Sequence, residues 1–283
     1  MKQKSGGEKM KKIPKILHLY WDKSPMSWLQ TLTVKSFHRY NPEWKIIVYL
    51  QKLPYTSIVK FVPDYTGKDY FDEIKKYVEI KEINTEDYHI KGDIPEILKS
   101  DIFRYNILHE KGGIWSDFDV LWIKPIEHIL NINSYVADSK IEEMEGCVCM
   151  HYTTSGFHSI AVLIFAQKSR FLETLIKRTT YLQGEEKIKY QKFGTNMLNE
   201  LFPTYNDIRI QYKNIIALPY ATFYPYDTQK LQTLYSDNEL RYLKMSTVGI
   251  HWFNGSTLAK DYVNNGLFKP CSMTTILKKE GFL

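Results

Sequence analysis

Residues 92–125 read GDIPEILKSDIFRYNILHEKGGIWSDFDVLWIKP, and the rest of the chain is organised around them. Asp93 and Pro95 suit the start of a helix, and the apolar residues that follow recur at helical spacing, which predicts one buried face. Gly112 and the glycine after it predict the end of this helix, because glycine adopts the left-handed conformation at little cost. The next ten residues, 114–123, are mostly apolar and predict a buried strand.

Two acids, Asp117 and Asp119, interrupt the predicted strand. Side chains two residues apart on a strand share a face, so we expect both carboxylates together at its end. Their oxygens could hold Mg²⁺ or Mn²⁺ against a diphosphate. Asp-x-Asp alone is common in solvated turns, but three aromatic neighbours predict burial here: Trp115, Phe118 and Trp122. Two buried acids without a cation would cost several kcal/mol each, so we expect a positive charge beside them.

The predicted helix carries a second polar pair, Asp101 and Arg104, which are three residues apart and share a helix face. Alone, such a pair would be a surface ion pair of little energetic weight. With its surroundings it completes the pattern S-D-x-x-R-Y-x-x-L-x-x-x-G-G-I-x-x-D-x-D over residues 100–119. This pattern resembles the sugar-binding Asp-x-Asp region of glycosyltransferase family 32, the capsule- and mannan-type transferases. More distantly, it resembles the glucosyltransferase domain of the large clostridial toxins. The resemblance implies an α/β, Rossmann-like fold of the GT-A type.

The N-terminal part of the chain predicts the same fold class from its own residues. Its first elements make a βαβ unit: a strand over 13–21, a helix from Ser24-Pro25 to Tyr40 and a strand over 44–50. Such a unit predicts a central, mostly parallel sheet flanked by helices. Ligands of such sheets bind beyond the carboxyl ends of the strands. Further elements are predicted along the chain: strands at 78–83, 134–138, 146–152 and 160–166, helices at 171–181 and from 194, and an edge strand with a loop over 215–226.

We expect a flexible leader over 1–12 and a single GT-A-type domain over 13–283. Within that domain, 13–125 is predicted to be the nucleotide-sugar-binding half, 126–257 the acceptor-side half, and 258–283 a cover over the site or a tail. The formal net charge of +6 is compatible with nucleic acid or an anionic membrane. Much of this charge comes from lysines near the two ends, so we predict no nucleic-acid partner and at most a peripheral membrane contact.

The remaining composition predicts a soluble, cytoplasmic protein. Residues 1–12 lack the apolar core of a signal peptide, and no apolar run approaches the ~20 residues that span a bilayer. The three cysteines, Cys147, Cys149 and Cys271, make up no zinc site. Buried free thiols in a reducing compartment are therefore expected.

The resemblance to family 32 implies roles for the residues of the central stretch. Asp119 would ligate the metal, Mn²⁺ or Mg²⁺, while Asp117 would contact the ribose and sugar hydroxyls and add a metal contact. Asp101 and Arg104 would hold the donor sugar, with Tyr105 in the same donor-binding set. Arg104 would also stabilise the charge that develops on the diphosphate. The predicted catalytic residues are thus the two aspartates of Asp-x-Asp and Arg104.

Two other segments are similar to the opening and closing motifs of the family. In the opening segment I-P-K-I-L-H-L-Y-W, Trp21 would stack on the nucleotide base, with His18 nearby. In the closing segment V-G-I-H-W-F-N-G-S, His251 would complete the metal site, and Ser256 or Asn254 would reach a phosphate. The chain departs from the family pattern at three positions: Thr195 replaces a proline, Ser159 lies where an asparagine is common, and Thr257 replaces a tryptophan.

The predicted activity is the metal-dependent, retaining transfer of a hexose from a UDP- or GDP-sugar to a glycan or glycolipid acceptor, as in polysaccharide biosynthesis. The donor, the acceptor, the oligomeric state and the choice between double displacement and front-side attack stay open. A metal-dependent nucleotidyltransferase or phosphatase would be expected to carry a glycine-rich phosphate loop, which the sequence lacks. A carbohydrate-binding or degenerate, non-catalytic protein is disfavoured by the intact Asp-x-Asp and His251.

Overall fold

A central seven-stranded sheet organises the computed structural model of the chain. The structure describes residues 13–52, 65–92, 94–130, 144–151, 157–184, 189–238, 240–266 and 269–283. The strands of the central sheet are β1 (Ile16–Trp21), β2 (Lys45–Gln51), β3 (Glu79–Ile83), β4 (Gly113–Ser116), β6 (Gly146–His151), β7 (Phe157–Phe165) and β8 (Ile215–Pro219). Two short strands, β5 (Val120–Trp122) and β9 (Gly249–His251), form a separate antiparallel sheet.

The central sheet is mostly parallel, as the sequence predicts. Its strand order is β3-β2-β1-β4-β7-β6-β8. Neighbouring strands are parallel except around β7, which runs antiparallel to both β4 and β6. β8 lies at one edge and ends at Pro219, which suits an edge because proline cannot donate a hydrogen bond to a further strand.

Nine α-helices lie among the described residues. They are α1 (Trp28–Tyr40), α2 (Glu96–Lys111), α3 (Glu127–Leu130), α4 (Arg170–Leu182), α5 (Thr195–Leu201), α6 (Tyr205–Gln211), α7 (Leu231–Ser236), α8 (Thr257–Asp261) and α9 (Ser272–Lys279). Helix α1 begins later than predicted, because Ser27 and Gln30 form a capping box there and displace the expected start at Ser24-Pro25. Helix α2 ends at Gly112 as predicted, with φ of +65° at that residue.

Both faces of the sheet are covered, which explains why β1 is apolar on both sides. Leu17 and Leu19 pack on one face in a cluster that includes Phe37 of α1. Tyr20 points to the other face and joins a cluster that includes Phe103 of α2. β1 therefore lies between two layers of helices, in the central position that its sequence predicts.

The predicted strand over 114–123 is wrong as one element. The chain belongs to the central sheet as far as Ser116, and the Asp117 amide still donates to the Ala161 carbonyl oxygen at 2.8 Å. A turn at Phe118 then directs the chain out of the sheet, and β5 pairs with β9 instead. The Phe118 ring packs edge-on against Trp21, with ring centroids 5.0 Å apart, so a buried contact holds the turn. An apolar run carries no signal that its chain changes sheets.

Residues of the last helix belong to a third apolar cluster. Met273, Ile276 and Leu277 of α9 are buried together with Leu29 and Leu32 of α1. Three sequence predictions lie outside the described residues: the leader over 1–12, Asp93 and the strand over 134–138. The three cysteines are buried free thiols, as expected. Within the described ranges, every helix is too short or too polar to cross a lipid bilayer.

Candidate active site

A cleft of about 830 Å³ opens where the carboxyl ends of β1 and β4 meet the start of α2. Three walls carry the predicted site residues: the segment after β1 with Trp21, the face of α2 with Asp101, and the turn with Asp119. A fourth wall comes from residues 251–260 near the C-terminus. The cleft therefore lies at the sheet edge where ligands of open α/β sheets bind.

Asp119 sits in the turn before β5 and is held by the segment after β9. The Trp252 amide donates to its main-chain oxygen at 2.9 Å, and the Asn254 amide donates to its side-chain Oδ2 at 2.9 Å. β5 and β9 pair in a register that sets Val120 opposite His251. This pairing, made across 130 residues of chain, brings the predicted metal acid and the predicted metal histidine together.

The second carboxylate oxygen of Asp119, Oδ1, faces His251. His251 Nε2 lies 3.1 Å from Asp119 Oδ1. Within the described part of the chain, that Oδ1 and His251 Nδ1 are buried without a hydrogen bond. Burial disfavours the charge on Asp119, but His251 and the Asn254 amide outweigh burial and lower its pKa, so the carboxylate stays ionised. A buried, ionised oxygen with unused lone pairs is what a cation would satisfy.

Asp117 faces Asp119 across the turn but is engaged by other groups. Trp115 Nε1 donates to Asp117 Oδ1 at 2.9 Å, and the Arg104 guanidinium lies 3.3 Å from the same oxygen. Burial raises the pKa of Asp117, with Arg104 acting against it. Ligand atoms of Asp117, Asp119 and His251 all lie within 4.8 Å of one another, so one ion could contact all three residues.

Arg104 connects Asp117 to α2 and is almost fully buried. Its NH2 group lies 2.7 Å from Asp101 Oδ1, and its NH1 group donates to the Ile160 carbonyl oxygen at 2.8 Å. The guanidinium also stacks 5.0 Å from the Trp115 ring. Burial raises the pKa of Asp101 to about 7, against the pull of Arg104. The predicted polar pair is thus a buried ion pair at the cleft wall, not a surface pair.

Trp21 and Ser256 both lie in the cleft. Trp21 is 9% exposed, and its Nε1 donates to the Ser24 carbonyl oxygen at 2.9 Å, which fixes the plane of the indole. Ser256 caps α8 by accepting a hydrogen bond from the Ala259 amide, at 3.1 Å.

Two predicted donor-binding residues, His18 and Tyr105, do not reach the cleft. His18 is fully buried, with Nδ1 3.0 Å from the Tyr49 hydroxyl and Nε2 2.8 Å from the Gly112 carbonyl oxygen. Burial lowers its pKa to about 4. Tyr105 is also fully buried and donates to the Phe193 carbonyl oxygen at 2.9 Å. Both side chains form part of the core, and proximity in sequence to Trp21 and Arg104 misled the prediction.

Lys260 and Phe253 are among the cleft residues that the sequence analysis did not assign to the site. Lys260 lies on the C-terminal wall, and its ammonium donates to Asn254 Oδ1 at 3.3 Å. Phe253 lines the same wall and packs against His251. The signal available for Lys260 was a lysine four residues after the predicted phosphate residue Ser256, a spacing that places both on one face of a short helix.

Part of the chain matches a known family model. Residues 27–137 match the family model described as a glycosyltransferase sugar-binding region containing a DXD motif. The match covers α1, α2 and the Asp117–Asp119 turn. The chain therefore carries the sugar-binding region of the DXD glycosyltransferases. The match confirms the resemblance found in the sequence and the predicted enzyme class, a glycosyltransferase. No curated protein matches the chain in sequence.

Solved glycosyltransferase structures share the fold at low sequence identity. The glycosyltransferase GlyE of Streptococcus pneumoniae TIGR4 is 14% identical, covers 95% of this chain and 64% of its own, and superimposes with a TM-score of 0.51. The galactosyltransferase LgtC is 13% identical over 84% of this chain and 87% of its own, with a TM-score of 0.45. The catalytic domain of the Clostridium novyi alpha-toxin is 14% identical over 70% and 63%, with a TM-score of 0.41. The likeness to GlyE confirms the predicted GT-A-type fold.

Proposed function

We propose that this glycosyltransferase moves a hexose from a UDP- or GDP-sugar to a glycan or glycolipid acceptor, using a divalent cation held by Asp119, His251 and Asp117. The observation that carries the proposal is the convergence of these three residues, whose ligand atoms lie within 4.8 Å of one another in the cleft. On the opposite wall, the buried Asp101–Arg104 pair offers charged hydrogen-bonding groups to a sugar.

The residues present suit a cation of the Mn²⁺ or Mg²⁺ type. Imidazole nitrogen with carboxylate oxygens favours Mn²⁺ over Ca²⁺, which takes oxygen ligands almost alone. The buried Oδ1 of Asp119 has His251 Nε2 beside it at 3.1 Å and, among the described residues, accepts no well-formed hydrogen bond, so a cation would give it a ligand bond. When bound, the cation would act as a Lewis acid that neutralises the departing diphosphate.

Different side chains of the cleft are proposed to bind different parts of the donor. Trp21 is proposed to stack on the nucleotide base, and Asp101 and Arg104 to hold the sugar hydroxyls, since a guanidinium and a carboxylate both form strong charge-assisted hydrogen bonds. Lys260 and Ser256, on the C-terminal wall, are proposed to contact the diphosphate. The positive charges of Arg104 and Lys260 would then flank the negative charge that develops on the diphosphate.

We propose that the anomeric configuration is retained by front-side attack. Among the described residues that line the cleft, each carboxylate already lies in an ion pair or accepts a hydrogen bond: Asp22, Glu96, Asp101, Asp117, Asp119 and Asp227. Double displacement would require one of them as a nucleophile below the sugar ring. In front-side attack the departing phosphate takes the acceptor's proton. Retention by product NMR, with no covalent adduct in the intact mass, is the expected result.

The acceptor is proposed to be a glycan, free or lipid-linked. Cytoplasmic location, peripheral membrane contact and a role in polysaccharide biosynthesis stay predictions from the sequence. So does the division of 13–283 into a nucleotide-sugar half over 13–125, an acceptor half over 126–257 and a C-terminal cover or tail over 258–283.

A donor panel with Mn²⁺ tests the proposal. The purified chain is incubated with UDP- and GDP-hexoses, and the released products are separated. Free sugar and nucleoside diphosphate are expected from slow hydrolysis, whereas a nucleotidyltransferase would release pyrophosphate or a nucleoside monophosphate. Asp119→Asn is expected to abolish turnover while keeping the wild-type circular dichroism. Asp72→Asn, a matched change at an exposed carboxylate outside the cleft, is expected to keep full activity. Full activity in Asp119→Asn would refute the assignment.

A further inference from the structure

Phe253 adopts a backbone conformation that bulky residues rarely take. Its φ is +52°, in the left-handed region where a side chain with a Cβ crowds the backbone. The residue follows β9 and lines the cleft, partly exposed. Strained backbone of this kind costs of order 1–3 kcal/mol in general and persists only when the surroundings determine it. Such a residue at a cleft wall therefore calls for an explanation.

The left-handed turn lies between two amides that both reach Asp119. The Trp252 amide donates to the main-chain oxygen of Asp119, and the Asn254 amide donates to its side-chain Oδ2, each at 2.9 Å. For two amides so close in sequence to reach the main chain and the side chain of one residue, the chain must curve around that residue. The turn at Phe253 supplies this curvature. It thereby orients the Asp119 carboxylate and leaves Oδ1 directed at His251.

The Phe253 ring also packs on the candidate metal histidine. Its plane is nearly perpendicular to the His251 ring, at 88°, with centroids 4.2 Å apart, and Tyr224 contacts the same imidazole at 5.1 Å. A metal-bound histidine normally donates its other N–H to a carboxylate or carbonyl, which fixes the ring. Within the described chain, His251 Nδ1 has no such partner. Besides the contact of Nε2 with Asp119, aromatic packing by Phe253 and Tyr224 holds this imidazole in place.

We infer that Phe253 is a positioning residue for the cation site: its left-handed backbone orients Asp119, and its ring fixes the plane of His251. This inference rests on the proposed function, because it concerns the same three ligands. It assigns to a phenylalanine the orienting task that a hydrogen-bonding carboxylate performs at other metal histidines. Its contribution is made before any donor binds, so it must appear in the affinity for the metal itself.

The test measures Mn²⁺ binding rather than activity. The full chain, freed of metal, is titrated with Mn²⁺, alone and with UDP or GDP, and free Mn²⁺ is followed by electron paramagnetic resonance. Phe253→Ala removes the ring, and Phe253→Gly removes the ring while accepting the φ without strain, which guards against misfolding. Both are expected to weaken Mn²⁺ binding roughly 10–100-fold, the usual cost of losing an outer contact to a metal ligand. Phe253→Tyr is expected to bind within about twofold of wild type, since it keeps the ring.

Two controls separate this inference from the proposed function. Phe71→Ala, at a partly buried phenylalanine outside the cleft, is expected to bind Mn²⁺ as wild type does. Asp119→Asn is expected to lose binding. If wild type binds no Mn²⁺ under either condition, the proposed function itself fails. If wild type binds, Asp119→Asn does not, and Phe253→Ala and Phe253→Gly both match wild type, only the role of Phe253 is overturned. If Phe253→Gly binds Mn²⁺ as wild type does while Phe253→Ala binds it more weakly, the role proposed for the phenyl ring is overturned.

Discussion

Replacing Arg104 by methionine would test whether the polar pair at the cleft wall is buried as described. Methionine fills a similar length of the site but leaves Asp101 and Asp117 without their cation. The guanidinium contacts Asp101 at 2.7 Å, Asp117 at 3.3 Å and the Ile160 carbonyl oxygen at 2.8 Å, with only 3% of its side chain exposed. Removing one partner of a buried ion pair costs about 3–5 kcal/mol, because the other charge is left buried and unpaired.

This cost converts into a measurable shift in melting temperature. An unfolding entropy of about 2.1 cal/mol/K per residue gives roughly 0.6 kcal/mol/K for the 283-residue chain. Arg104→Met should therefore melt about 5–8 °C below wild type, and urea unfolding should give the same loss of free energy. The exposed arginine at the start of α4, Arg170, supplies the matched control: Arg170→Met should change the free energy of unfolding by less than about 0.5 kcal/mol.

A double variant sharpens the interpretation. Asp101→Asn added to Arg104→Met removes one of the two stranded charges, so it should recover part of the stability lost in the single variant. An exposed ion pair contributes at most about 1 kcal/mol. The burial of this pair would therefore be refuted if Arg104→Met melted within about 1 °C of wild type, which is roughly the precision of the assay.

Three further predictions concern His18, Lys260 and Gly194. Folding lowers the pKa of His18 from 6.5 to about 4, so the folded protein keeps this imidazole neutral. The free energy of unfolding should therefore fall by about 3 kcal/mol as the pH falls from 6.5 to 4. His18→Gln should reduce this pH dependence in urea titrations and leave the donor KM unchanged. Lys260→Met should raise the donor KM roughly tenfold at unchanged Mn²⁺ affinity, and an unchanged KM would remove Lys260 from the diphosphate site. Gly194→Ala would place a Cβ 2.8 Å from Ile160 Cδ1 and 3.2 Å from Asp101 Oδ2, so it should weaken donor binding in thermal-shift titrations, whereas unaltered binding would show that Asp101 does not hold the sugar.

Local patterns predicted the parts of the structure that local sequence determines. Helix α2 and its end at Gly112 follow from apolar spacing and from a glycine in the left-handed region. The parallel sheet follows from strand–helix–strand order, and the union of Asp119 with His251 follows from a motif resemblance. The helix and the sheet can be predicted from residues that are near one another in sequence, and the contact of Asp119 with His251 from the resemblance to a known family motif.

Other features depend on partners that are distant in the chain. The exit of the chain from the sheet at Asp117 requires β9, which pairs with β5 from more than a hundred residues away. His18 was assigned to the site because β1 ends there, but a strand buried on both faces gives no sign of which side chains face a ligand. The left-handed turn at Phe253 could not be predicted from the sequence either, because phenylalanine seldom takes that conformation. The contacts of this segment with Asp119 and His251 determine it.

The most direct test of the account is anomalous diffraction at the manganese edge from crystals soaked in Mn²⁺ with UDP or GDP. The account predicts one strong peak in the cleft within ligand distance, about 2.0–2.3 Å, of Asp119 Oδ1 and a ring nitrogen of His251. A fully occupied nucleotide with no manganese between these two side chains, or manganese bound only elsewhere on the protein, would contradict it.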